Sequence, residues 1–205
     1  MKISYAVTTH NEFEELQKLI PILLKYKQSQ DEIIVVDDNS DKELVEYLDK
    51  LFEVGSIQSW YTHELNKHFG EHKNYAIENA TGDFIFHLDA DEYPHQSLIE
   101  QIHSIIEMND VELIWIPRVN TVKGITDEHC AKWGWRITDK GWINYPDYQA
   151  RVFKRDDKIR WIKPVHEVIT GATTYAHLPP VEELSLYHPK TIEKQEKQNK
   201  LYMEL

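Results

Sequence analysis

Asp89-Ala90-Asp91-Glu92 places three carboxylates within four residues, directly after the apolar run Phe84-Ile85-Phe86-His87-Leu88. In an extended segment alternate side chains share a face, so Asp89 and Asp91 have the spacing to approach one hard cation, Mg²⁺ or Mn²⁺. Such an ion keeps positions open for substrate oxygens, bridges a diphosphate and offsets the charge that develops as the diphosphate leaves. An acidic turn capping a helix that starts near His95 would account for one of these carboxylates but not for three. Glu92 reads as a helix-start residue or a support behind the ligands.

Two other apolar runs end in unusually polar segments, Thr8-Thr9-His10-Asn11-Glu12 and Asp37-Asp38-Asn39-Ser40. In an open parallel sheet, ligands bind beyond the carboxyl ends of the strands, so these exits belong with the acidic run. Asp37 serves equally well as a helix cap or as a site residue. Asp38 is better placed to face the crevice, where its carboxylate can accept hydrogen bonds from a base N–H or from ribose hydroxyls. No glycine-rich turn follows the first run, which argues against a dinucleotide fold and excludes a P-loop.

The elements that position these exits are legible as alternating strands and helices. Four short runs rich in β-branched and aromatic residues, at 3 to 8, 32 to 37, 57 to 61 and 83 to 88, read as strands. Between the first two, Phe13, Leu16, Leu19, Ile20, Leu23 and Leu24 recur at helical spacing. Pro21 lies inside that pattern and predicts a kink or two short helices. Asn39-Ser40-Asp41 offers an N-cap for a helix carrying Leu44, Val45, Leu48, Leu51 and Phe52, and residues 72 to 80 and 95 to 108 read as two more helices. Beyond Pro117 no period is sustained, and residues 118 to 147 read as a long functional loop region. Strands are expected at 148 to 155, 160 to 163 and 183 to 187, and a charged helix at 192 to 205, with Glu193 to Lys200 as its solvated face.

A chain of 205 residues with 41% hydrophobic and 28% charged residues is expected to form one core and one domain. The formal net charge of −12 disfavours nucleic acid as a partner. Cys130 is the single cysteine, so no internal disulfide forms and a reducing, cytoplasmic setting is expected. The apolar run after Met1-Lys2 is too short for a signal peptide, and no run approaches the roughly 18 apolar residues a membrane helix needs. His63, His68 and His72 invite a zinc reading, but no cysteine or metalloprotease-type acidic partner accompanies them, so hydrogen-bonded or solvated histidines are expected.

Val7-Thr8-Thr9-His10-Asn11-Glu12, Ile34-Val35-Val36-Asp37-Asp38-Asn39-Ser40, Lys73-Asn74-Tyr75-Ala76 before Ala80-Thr81-Gly82-Asp83, and Phe86-His87-Leu88-Asp89-Ala90-Asp91-Glu92 agree in order and spacing with one family. They resemble the family 2 glycosyltransferases of the GT-A fold. The resemblance implies an α/β fold, a mostly parallel central sheet flanked by helices. A single GT-A-like domain would span 1–205, with residues 1–117 as the nucleotide-sugar-binding half and 118–205 as the acceptor-binding and catalytic half. It further implies a nucleotide-diphosphate sugar donor, UDP by preference, with Thr8 and Asp38 on the base. Asn11, Glu12 and Lys73 would belong to the donor site, the last two near ribose or diphosphate. Asp91 would be the direct Mn²⁺ or Mg²⁺ ligand, with Asp89 beside it towards the ribose or a metal-bound water.

The second half is similar to transferases of bacterial lipopolysaccharide-core assembly, through Asp147-Tyr148-Gln149-Ala150-Arg151-Val152-Phe153-Lys154-Arg155, Trp161, Val165-His166-Glu167 and Leu186-Tyr187-His188-Pro189. That likeness implies a saccharide, lipopolysaccharide-like or other glycan acceptor, which would bring the protein to a membrane surface. It makes Glu167 the candidate base and His188 a metal contact, with His166 near the acceptor. An inverting displacement needs a carboxylate to take the acceptor hydroxyl proton opposite the leaving diphosphate. Glu167 fits that task, Asp147 is its rival, and a surface glutamate is the plain alternative. Arg151 pairs with a phosphate or an acceptor, or else holds its segment by a salt bridge. Trp133, Trp135, Trp142, Tyr145 and Tyr148 either stack on an acceptor sugar or pack a core.

Three other classes compete. A haloacid-dehalogenase-type Mg²⁺ phosphohydrolase carries Asp-x-Asp in its first strand, whereas here three βα units precede it. A noncatalytic nucleotide-sugar or glycan binder would keep the pocket and lack the base. A sugar nucleotidyltransferase needs a glycine- and arginine-rich loop that Thr9-His10-Asn11-Glu12 does not supply.

Overall fold

The structure, a computed structural model, describes residues 1–204. In chain order the elements are β1 (Ile3–Thr9), α1 (Phe13–Tyr26), β2 (Glu32–Asp37), α2 (Lys42–Glu53), β3 (Ser59–Thr62), α3 (Phe69–Glu78), β4 (Phe84–Asp89), β5 (Tyr93–Pro94) and α4 (Gln96–Asn109). They continue with β6 (Leu113–Lys123), α5 (Asp127–Trp133), β7 (Ile143–Lys154), β8 (Arg160–Ile162), β9 (Val168–Thr170), β10 (Tyr175–His177), β11 (Leu186–Thr191) and α6 (Ile192–Glu204).

One sheet runs in the order β3-β2-β1-β4-β7-β6-β11-β5, with β10 added beside β6, while β8 and β9 form a separate hairpin. The neighbours β3, β2, β1 and β4 are all parallel, and β7 then enters antiparallel between β4 and β6. The sheet is mostly parallel and flanked by helices, as expected.

Continuous apolar strands fit a sheet buried on both faces. From β1, Tyr5 and Val7 face one core with Leu16, Leu19, Ile20 and Leu23 of α1, Leu44 and Leu48 of α2, and Ile99 and Ile102 of α4. Ala6 faces the other, with Ile34 and Val36 of β2, Ala76 and Ile77 of α3, and Trp161 of β8. Gly82 turns the chain into β4 against β1, where a Cβ would lie 2.6 Å from Ser4 Oγ and 2.7 Å from Ser4 N, so only glycine fits.

Several expectations change. Pro21 does not divide its helix, because α1 is continuous and buries its apolar stripe on both sides of the proline. Asp41 occupies the N-cap of α2, but its side chain makes no capping bond. The region after Pro117 is largely regular: β6 continues to Lys123, α5 follows, and β7 begins at Ile143. These strands escape a period-2 reading because β6 shifts register against β7 between Arg118 and Asn120. Of the strand expected at 183 to 187, Glu182–Leu184 is a 3-10 turn and the strand begins at Leu186. The last helix begins at Ile192 as expected, and Leu205 lies outside the described residues.

Candidate active site

Thr8 near the exit of β1 pairs with Asp89 at the end of β4, its Oγ1 3.2 Å from Asp89 Oδ1. Arg151 on β7, buried and antiparallel beside β4, donates from Nη2 to Asp89 Oδ2 at 2.7 Å. Lys73, from the second turn of α3, brings its Nζ to 3.5 Å from Asp89 Oδ1 and donates to the Glu167 carboxylate. It is only 4% exposed, with its ammonium 4.8 Å from the centre of the Trp161 ring. Burial by itself would raise the Asp89 carboxyl, but Lys73 and Arg151 outweigh it and hold Asp89 well below the usual carboxylate range. Burial and Lys73 oppose each other in the same way at Glu167, and its pKa also falls.

Asp91 belongs to a second cluster. The Glu92 amide donates to Asp89 O at 2.9 Å and closes a turn, so Asp91 is not in the extended segment that the Asp-x-Asp spacing suggested. Its Oδ2 lies 3.5 Å from His188 Nε2 and 3.3 Å from Lys194 Nζ. The two carboxylates are therefore separated in their partners, one on Lys73 and Arg151, the other on His188 and Lys194. His188 Nδ1 lies 2.7 Å from Asn120 Oδ1, which fixes the ring so that Nε2 faces Asp91. Burial lowers the His188 pKa despite Asp91, favouring the neutral ring. Glu12 stands close by and is pushed up to about 8, by burial and then by Asp91.

A carboxylate and an oriented neutral imidazole form a donor set that suits Mn²⁺ or Mg²⁺, the remaining positions falling to phosphate oxygens and water. Among the described residues no group of three or more His, Cys, Asp or Glu side chains is placed to hold a metal ion.

Behind both clusters lies a buried ionic network. Glu92, 0% exposed, accepts from Arg118 Nη1 and from Arg151 Nη2, each at 2.7 Å. Asp147 accepts from Arg118 at 3.0 and 2.7 Å, from Asn120 at 2.8 Å and from Gln149 at 2.9 Å. Burial opposes its ionisation, but Arg118 and Asn120 prevail and lower its pKa. Four hydrogen bonds hold Asp147 in this network, and Glu167 is the less encumbered of the two base candidates. Arg151 donates from Nη2 to both Asp89 and Glu92, the salt-bridge alternative for that residue, while its buried Nε has no hydrogen-bond partner among the described residues.

At the exit of β2 the two aspartates divide. Asp37 is fully buried and accepts from the Ser40 amide at 3.0 Å and from the Ser40 hydroxyl, a turn-capping role. Asp38 accepts from the Leu65 amide at 2.8 Å and lines an open cavity of ≈ 490 Å³ with Glu64, Leu65, Asn66 and Lys67. Asn11, at φ 55°, clips this exit to that of β1 by accepting from the Asp41 amide at 2.7 Å. His68 caps α3 by accepting from the Glu71 amide, while His63 and His72 face each other at 3.2 Å, so the three histidines do not gather around one ion.

The acceptor candidates separate too. Trp133 and Trp135 pack at 4.8 Å and Trp142 and Tyr145 at 4.7 Å, all half-buried and outside both cores. Tyr148 is engaged, its hydroxyl donating to Leu178 O at 2.9 Å and its ring meeting His177 edge-on. His166 is exposed, at φ 53°.

Arg118, Asn120 and Lys194 escaped the sequence reading. Arg118 and Asn120 stand two apart in β6, the spacing that puts two side chains on one face, but they were expected in a loop. Lys194 was expected on a solvated helix face and instead reaches the carboxylates.

A sheet of this order, with its polar exits gathered beyond β1, β2 and β4, defines a GT-A fold. Crystal structures of Staphylococcus aureus TarS share it. TarS 1-349 superposes with a TM-score of 0.64 at 17% identity over 92% of this chain and 60% of that one. Its complex with UDP gives 0.66 at 17% over 92% and 60%, and its complex with UDP-GlcNAc 0.62 at 16% over 93% and 59%. Residues 4–173 match the model of Glycosyl transferase family 2, and the chain belongs to that family. Poly(ribitol-phosphate) beta-N-acetylglucosaminyltransferase TarS of S. aureus is 26% identical over 124 residues, 58% of this chain. The chain spans 22% of that relative's length.

Proposed function

We propose that this chain is a divalent-cation-dependent, inverting glycosyltransferase that moves a sugar from a UDP-linked donor to a hydroxyl of a saccharide or glycan acceptor. The observation that carries it is the pairing of Lys73 with both Asp89 and Glu167 beside the Asp91–His188 pair, at strand exits that continue to the Asp38 cavity. Asp38 and the cavity would take the base, and Lys73 the diphosphate. Asp91 and His188 would hold Mn²⁺ or Mg²⁺, which supplies positive charge to the departing diphosphate. Glu167 would take the acceptor proton as that oxygen bonds to the anomeric carbon and the bond to the diphosphate breaks. Trp133, Trp135 and Trp142 offer faces for the acceptor sugar.

TarS transfers N-acetylglucosamine by its name, and it crystallises with UDP and UDP-GlcNAc, so UDP-GlcNAc is the first donor to test. Poly(ribitol-phosphate) and lipopolysaccharide-core oligosaccharides are the acceptors to compare. Among the described residues no helix is long and apolar enough to cross a membrane. The acceptor would bring the chain to the cytoplasmic membrane surface. Thermal-shift measurements with nucleoside diphosphates, with and without Mn²⁺, test the donor reading, followed by a screen of nucleotide-sugar hydrolysis. Stabilisation by UDP that grows with Mn²⁺ is expected. No stabilisation by any nucleoside diphosphate would overturn the reading, and a product with retained anomeric configuration would overturn inversion.

A further inference from the structure

Lys194 stands in the first turn of α6, yet its Nζ lies 3.3 Å from Asp91 Oδ2, 3.4 Å from Glu12 Oε1 and 3.1 Å from Glu15 Oε1. The oxygen of Asp91 that it meets is the one facing His188 Nε2. His188 and Lys194 thus converge on one carboxylate oxygen, and the Lys194 ammonium takes a position beside it that a bound cation could occupy. β11 runs into α6 without a loop, so His188 and Lys194 come from one continuous stretch of chain. The side chain is 38% exposed, which leaves it an open path away from the carboxylates.

We propose that Lys194 is a tethered cation that holds the place of the divalent ion at Asp91, so that metal and lysine compete for the same carboxylate oxygen. This rests on the divalent-ion part of the proposed function. Competition has a signature that a supporting role lacks: removing the ammonium must tighten the binding of free metal, although the removal deletes a favourable contact. Once displaced, Lys194 remains beside the site with its charge intact, where a donor diphosphate is the natural new partner.

Calorimetric titration of MnCl₂ without nucleotide tests this on the wild type and on Lys194→Met, Lys194→Gln and Lys194→Arg. Met keeps the aliphatic stem and Gln a polar end, so a folding defect in one leaves the other as a readout. Mn²⁺ affinity is expected to rise on the order of tenfold in the Met and Gln variants and to stay near wild type in the Arg variant. Adding Asp91→Asn to Lys194→Met should abolish the gain. Unchanged or weaker Mn²⁺ binding in the Met and Gln variants, or no Mn²⁺ binding to any of the proteins, overturns the proposal. UDP titrated in parallel without metal separates that failure from failure of the donor reading.

Discussion

The Lys73 ammonium is joined by a salt bridge to the Glu167 carboxylate, across 94 residues of chain, while it also stands 3.5 Å from Asp89. A glutamate so paired is a weaker proton acceptor than a free one, and donor binding at Lys73 would offer a way to release it. On the proposed reading, an arriving diphosphate would compete for Lys73 and leave Glu167 with more of its proton affinity. Lys73 would then couple donor binding to readiness of the base.

Lys73→Met tests this through the pH profile of kcat/KM. With Glu167 as the proposed base, activity would require its deprotonated form, so the rate would fall as pH drops through the Glu167 pKa, which Lys73 holds below its ordinary value. Removing Lys73 should move the acidic limb to higher pH, together with weaker UDP binding. A limb that stays in place would show that a different group is the base.

Glu167→Gln should lower kcat by about 10²- to 10⁴-fold while UDP affinity stays within twofold to threefold, the expected loss of a general base. Asp147→Asn should behave differently, because its four hydrogen bonds make it a structural partner of Arg118. Its melting temperature should fall, with kcat reduced less than in Glu167→Gln. The reverse ranking of kcat values would move the base to Asp147.

Much of the fold was legible because its causes are local. The runs ending in Asp37 and Asp89 are strands buried on both faces, and their continuous apolar, β-branched and aromatic composition says so. The two carboxylates Asp89 and Asp91 were legible as residues but not as a geometry, since the turn closed by the Glu92 amide gives them different partners. Arg118 and Asn120 were hidden for a non-local reason. Only the pairing of β6 with β7 and β11 makes their stretch a strand, and only then does their spacing aim them at Glu92, Asp147 and His188. Lys194 carries no local signal at all, because a lysine in a charged helix is ordinarily solvated.

Arg151→Leu should destabilise the fold by about 3 kcal/mol, the cost of leaving the fully buried Glu92 with one of its two arginine partners and the half-buried Asp89 without its shortest ion pair. Glu92 keeps Arg118, while Asp89 keeps Lys73 only at 3.5 Å. Chemical denaturation measures this, and a loss well below 1 kcal/mol would show that solvent or rearrangement compensates Asp89. Arg151→Lys should recover part of the stability, since both bonds leave one nitrogen, Nη2, and a shorter ammonium can donate to two carboxylates but not from the same position.

Glu32 governs a pH-dependent contribution at the opposite end of β1 from the site. It accepts from Lys2 Nζ at 2.6 Å, Ser4 Oγ at 2.5 Å, and the Thr81 amide and hydroxyl at 2.7 and 2.6 Å. Burial works against its charge, but these four donors prevail and bring its pKa from 4.5 to about 2. A carboxyl with a depressed folded pKa stabilises the protein fully above its unfolded value, and that stability is lost as pH falls through the folded one. Glu32→Gln should therefore be less stable than wild type at pH 6, by on the order of 2 kcal/mol. The gap should narrow between pH 4.5 and about 2, the window set by the two pKa values. Urea midpoints of both proteins across that range measure it, and because other carboxylates titrate in both, their difference isolates Glu32. A gap that stays constant with pH would mean that the glutamine loses packing or hydrogen bonds without any loss tied to charge.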